Sequence, residues 1–113
     1  MTATPDPFEL LHEQPDLPAL ELPAELAAAY GGTLGFPARR LFVNFVSSVD
    51  GVVAIPGDGR APQLIAGQSD ADRFVMALLR ACADVILVGA GTVRDAPGAR
   101  WTPEQIYPPA AAL

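Results

Sequence analysis

Residues 84–93, DVILVGAGTV, place two glycines and a threonine directly behind an apolar run. In parallel α/β sheets, ligands bind beyond the carboxyl ends of strands. Glycine there lets backbone N–H groups come close to a pyrophosphate. The Thr92 hydroxyl adds a hydrogen bond and Arg94 adds charge. Gly89, Ala90, Gly91 and Thr92 are therefore candidates for contact with a phosphate-bearing cofactor. The segment is not a Rossmann fingerprint, because Arg94 stands where the third glycine belongs, and the chain has no lysine for a P-loop. The same four residues equally suit a tight turn out of a buried strand.

A second group of polar side chains, Asn44, Ser47, Ser48 and Asp50, gathers at the exit of another apolar run. Asn44 and Ser48 offer hydrogen bonds to a substrate. The plainer alternative is that Ser48 and Asp50 satisfy backbone groups of a turn. Arg80 interrupts an apolar helical pattern near its end, where a cation suits the helix dipole; reaching an anionic group such as a phosphate is the other reading. Asp95 either accepts a ribose hydroxyl or is a loop charge. Trp101 and Tyr107 read as packing residues, and Cys82 as an inert core thiol. With one cysteine and one histidine, His12, a zinc site or a Ser-His-Asp triad has almost no material.

The elements that must position these residues follow from pattern. The first 38 residues form a Pro-rich arm, with prolines at 5, 7, 15, 18 and 23, and a short helix after Pro23 that Gly31 and Gly32 stop. Residues 41–51, LFVNFVSSVDG, read as a strand buried on both faces, closing in a turn from Ser48 to Gly51. Residues 56–63 read as a loop. The clearest helix is expected over 69–83: Ser69 is the N-cap, Asp70 and Asp72 occupy the first turn, and Phe74, Ala77, Leu78 and Ala81 form one buried face. A second buried strand follows from residue 85, so strand, helix and strand predict a right-handed βαβ unit with parallel strands. Thr102 and Gln105 have capping-box spacing around a one-turn helix with Pro103 at its start, and a further helix begins at AAAL.

At 113 residues the chain allows one small domain. A net charge of −6 and a pI near 4.4 argue against nucleic-acid binding. No apolar run approaches a membrane span and no signal-peptide pattern opens the chain, so a cytoplasmic protein with no membrane partner is expected. Two or three strands with one good helix leave sheet edges unpaired. A homodimer or a complementing C-terminal half is therefore expected as partner, besides a small-molecule substrate.

Taken together, FVNFVSSVDGVVA, then SDADRFVMALLRACADVILVGAGTVR, then RWTPE resemble the dihydrofolate-reductase-like family. More closely, they are similar to the C-terminal reductase domain of the bacterial riboflavin-pathway deaminase-reductase. The resemblance covers roughly residues 40–104. It implies an α/β fold with a dihydrofolate-reductase-like, mainly parallel sheet and flanking helices, truncated here to its N-terminal half over residues 39–113. It implies NADPH as cofactor and hydride transfer to a ribosylamino-pyrimidine phosphate or a related small molecule. By position, Val46, Gly89, Ala90, Gly91, Thr92 and Asp95 fall to the cofactor and Arg80 to the phosphorylated substrate, and no catalytic side chain is assigned. The family's acidic segment after the threonine is shortened to TVRDAPG, and the loop before the main helix, APQLIAG, lacks the Ser and Trp often found there. The alternative function is a non-catalytic half-domain that acts only as a partner or assembly subunit.

Overall fold

The computed structural model describes residues 5–56 and 61–113. Its organising element is α3 (Asp70–Ala81), preceded by α1 (Ala24–Tyr30) and α2 (Ala61–Ala66) and followed by α4 (Ala90–Asp95), α5 (Pro103–Ile106) and a 3₁₀ turn over Pro108–Ala112. Helix α3 begins as its sequence dictates. The Ser69 side chain accepts the Asp72 N–H at 3.3 Å, satisfying one of the donors that a first turn leaves over. Asp70 and Asp72 lie at the positive end of the dipole and Arg80 at the negative end. Phe74, Ala77 and Leu78 are buried, while Ala81, expected on the same face, is exposed.

That core is small. Leu26, Ala29, Leu34, Phe74, Ala77, Leu78, Tyr107 and Ala110 form one cluster, with Phe74 and Tyr107 fully enclosed. The Phe74 ring meets Phe8 edge-on at 5.6 Å and Tyr107 at 5.5 Å. The Pro-rich arm is thus docked: Phe8 donates its N–H to the Ala29 carbonyl at 2.9 Å, and Leu20 donates to Leu34 at 2.7 Å. Helix α1 stops at Gly31, whose φ of 75° closes the last turn onto Ala27. A Cβ at Gly31 would also stand 2.6 Å from the Phe8 carbonyl oxygen, so the arm and the helix end require glycine there.

Among the described residues no ladder joins residues 41–47 or 85–89, and the one bridge is between Ala19 and Gly35. Two expectations need correction. Residues 61–66, expected in a loop, form α2; proline at a helix's first turn removes only an N–H that the turn does not use, and residues 57–60 lie outside the described residues. The capping box is also absent, since Thr102 precedes α5 with no side-chain cap. Among the described residues no helix is long and apolar enough to cross a membrane.

Candidate functional site

The two apolar segments set the site by what they fail to do. Leu41, Val43, Phe45, Val85 and Leu87 are largely open, Asn44 and Ile86 are exposed as well, and Phe42 and Val88 are half-buried. Between the segments lies a groove of about 1000 Å³, with Met76, Leu79 and Cys82 of the α3 side along one wall. Phe36 and Phe42 also line it, their rings stacked at 5.6 Å with 18° between planes. Burial raises the Cys82 thiol above its ordinary range, which keeps it protonated and unreactive at neutral pH.

Charge in the groove runs against the chain as a whole. Among the described residues, Arg39, Arg40 and Arg80 line it against a single carboxylate, Asp84, although the net charge is −6. Arg80 is held in place rather than free: its guanidinium donates to the Thr102 carbonyl at 3.2 Å and lies 5.4 Å from the centre of the Trp101 ring. Trp101, read from sequence as packing, therefore carries the arginine on the groove wall. Desolvation lowers the Arg80 pKa, yet guanidinium stays charged at any physiological pH.

The residues selected from sequence divide into two sets. Asn44, Arg80, Gly89 and Thr92 line this one groove. Val46, Ser48, Ala90, Gly91 and Asp95 do not. Ser48 and Asp50 are engaged in a turn: Gly51 donates to the Ser48 carbonyl at 2.9 Å, the Ser48 hydroxyl bonds the Asp50 carboxylate, and Val52 donates to the Ser48 hydroxyl at 3.0 Å. The Ser48 hydroxyl foremost, and backbone N–H groups after it, hold the Asp50 carboxyl below the ordinary 3.8. The plainer reading of that pair is the one the geometry favours. Asp95 ends α4, an exposed six-residue helix.

Gly89 and Gly91 are not explained by the fold's own sterics. Gly89 has φ −68° and ψ 147°, open to any residue, and Gly91 lies within α4. A Cβ at Gly89 would meet nothing nearer than the Thr92 hydroxyl at 4.0 Å, and one at Gly91 nothing nearer than the Arg94 guanidinium at 4.0 Å. The chain itself leaves this space open, as a backbone approached by a ligand would. Sequence reasoning missed Phe36, Arg39, Arg40, Met76 and Leu79 as lining residues. Their only signal was adjacency to the apolar run or a place on the less buried side of the main helix.

The chain belongs to the RibD C-terminal domain family, whose model matches residues 39–107. It is thus a domain of the riboflavin-pathway reductase type. Neither the curated proteins nor the solved structures gave a match. Phe8, Leu26 and Leu34, which build much of the core under α3, lie outside the matched span.

Proposed function

We propose that this chain carries the nucleotide-facing part of an NADPH-dependent reductase acting on a ribosylamino-pyrimidine phosphate or a related small molecule. The observation that carries this reading is convergence: Asn44, Arg80, Gly89 and Thr92, chosen from three separate stretches, line one groove. The family generally binds NADPH, and the open space over Gly89 and Gly91 fits a phosphate-bearing group. When bound, NADPH supplies the hydride that converts a ribosyl to a ribityl group. The protein's own part is binding and orientation. Gly89 lets the backbone approach the cofactor, and the Thr92 hydroxyl offers a hydrogen bond. Arg80, steadied by Trp101 and the Thr102 carbonyl, keeps donors for an anionic substrate group. The dihydrofolate-reductase-like sheet belongs to this proposal, with residues 41–47 and 85–89 as two of its strands.

The test is NADPH fluorescence titration of the purified chain, with solution mass measured on the same sample. Saturable binding in the micromolar range, competed by NADP⁺, is expected. A folded chain that binds no NADPH would remove the reading. A second reading has its own support in the open apolar segments around Phe45 and Leu87: a half-domain that serves only as a partner or assembly subunit. It predicts folding on association without nucleotide binding.

A further inference from the structure

Arg80 is a cation held by neutral groups. It lies in the last turn of α3, where the helix dipole favours positive charge. Its guanidinium donates to the Thr102 carbonyl at 3.2 Å and stands 5.4 Å from the centre of the Trp101 ring. Among the described residues no carboxylate lies within ion-pair distance of it. Burial alone lowers its pKa, as expected of a cation with no counter-charge beside it. A carboxylate partner would fix the side chain and cancel its charge together. An indole face and a carbonyl fix it and leave the charge intact. Among the described residues of the groove lining, three guanidiniums face one carboxylate, so two positive charges are left over. A phosphate monoester carries about −1.5 to −2 at neutral pH, which matches that surplus.

The two groups that hold Arg80 are themselves anchored to the core. Pro103 disfavours helical backbone at the residue before it, and Thr102 is extended, with φ −89° and ψ 157°. That sets the direction of its carbonyl. Trp101 and Thr102 lead straight into α5, which packs on α3. Tyr107, at the end of α5, is fully enclosed and lies 5.5 Å from Phe74 of α3. Trp101 itself is outside the buried cluster and lines the groove beside Arg80. Its ring is thus a wall against which the guanidinium is held, and not a member of the core. An arginine ordered before its ligand arrives has no rotamer freedom left to lose on binding.

We propose that Trp101 is a positioning residue: with the Thr102 carbonyl it holds the Arg80 guanidinium, its charge uncancelled, for the phosphate monoester of a substrate in the groove. Trp101 acts through Arg80 and makes no contact with the phosphate. The inference rests on one part of the function proposed above, the assignment of Arg80 to an anionic substrate group, and not on NADPH. Its consequence is selectivity. The groove takes ribose 5-phosphate in preference to ribose, and the margin depends on an indole that does not touch the phosphate.

The test is titration of the purified chain with ribose 5-phosphate, and with ribose as control, followed by NMR chemical shifts so that millimolar dissociation constants are measurable. The proteins are the unaltered chain, Trp101→Phe, Trp101→Leu, Arg80→Gln and the Trp101→Leu, Arg80→Gln double variant, with urea unfolding of each. Trp101→Leu is expected to raise the ribose 5-phosphate dissociation constant about two- to tenfold. Trp101→Phe, which keeps an aromatic face, is expected to stay within about twofold. The loss should vanish in the Arg80→Gln background, because a residue acting through Arg80 has nothing to act on once the guanidinium is gone. A merely structural role would lower stability without that dependence. The Arg80 Nε–H resonance of the unaltered chain is a readout that needs no variant: it should be shifted by the indole ring current and move as ribose 5-phosphate is added. Equal loss in both backgrounds, unchanged affinity of Trp101→Leu, ribose bound as tightly as its phosphate, an Arg80 resonance that ignores the ligand, or no ribose 5-phosphate binding by a folded chain would each overturn the proposal. NADPH titration of the same samples keeps the two readings apart. Arg80-dependent loss without NADPH binding supports the role of Trp101 and removes the reductase, and NADPH binding without that loss does the reverse.

Discussion

Replacing Gly89 by alanine separates a ligand-facing glycine from one needed by the fold. Two local effects act on stability, and they oppose each other. Alanine restricts the unfolded chain, which stabilises by about 0.4–1 kcal/mol at a position whose backbone it can adopt. Gly89 has such a backbone, and the added Cβ finds no atom nearer than 4.0 Å. Against this, alanine is a poorer N-cap than glycine, at a cost of around 0.5–1 kcal/mol. The two nearly cancel, and Gly89→Ala is expected to keep its stability within about 0.5 kcal/mol. Binding has no such compensation. On the proposed reading a Cβ fills the space through which a phosphate reaches the backbone, and losing one hydrogen bond to a charged group costs about 1.5–3 kcal/mol, a ten- to hundredfold rise in the NADPH dissociation constant. Urea unfolding and NADPH titration on the same preparation read both quantities. Unchanged affinity with unchanged stability would refute the role given to Gly89. A stability loss above about 2 kcal/mol would show instead that the start of α4 is sterically constrained.

Other perturbations test the frame around that site. Phe74→Ala removes the ring that contacts both Phe8 and Tyr107 and is expected to cost about 3–5 kcal/mol, a large share of any small domain's stability; denaturation monitored by far-UV circular dichroism checks it. Ser69→Ala deletes the α3 cap and should cost about 1 kcal/mol in the same assay. Asp50 has its pKa lowered in the folded turn. Its support for the Ser48–Val52 bonds is therefore fully present above the ordinary value of 3.8 and disappears as pH falls through the lower folded value. The Val52 amide proton resonance should follow that titration, and a resonance constant from neutral pH to below pH ~2 would exclude the contact.

How much of this was legible in the sequence depends on the range of the physics involved. Local signals were reliable. Ser69, Asp70 and Asp72 mark the start of α3, Gly31 marks the end of α1, and Ser48 to Gly51 mark a turn, because each acts within one turn of chain. Long-range pairing is less legible: an apolar β-branched run such as residues 41–47 states a preference for extended backbone, whereas a strand also needs a partner segment to bond to, which no local pattern names. At Thr102 and Gln105 the capping-box spacing is present, but the Thr102 side chain makes no cap. In the candidate site, Arg80 and Thr92 were legible from type and position. Arg39 and Arg40 were not, because their approach to the groove depends on a connector whose path no pattern specifies.

Packing also shows where the site stands relative to the stable part of the molecule. The buried cluster lies on the face of α3 that carries Phe74, Ala77 and Leu78, whereas the groove is lined from positions 76, 79 and 80 of the same helix. One helix thus separates a closed core from an open apolar wall. Phe8, Leu26, Leu34 and Tyr107, which pack with that face, do not line the groove, while Phe36 and Cys82 border both. Filling the groove therefore leaves Phe74, Ala77 and Leu78 in place. Nucleotide binding should raise the unfolding temperature of the groove segments while leaving the environment of Phe74 unchanged. Hydrogen exchange resolves the two: protection gained at residues 41–46 and 85–89 with none gained at residues 74–78 would support that division, and protection gained equally in both would show that core and groove fold as one unit.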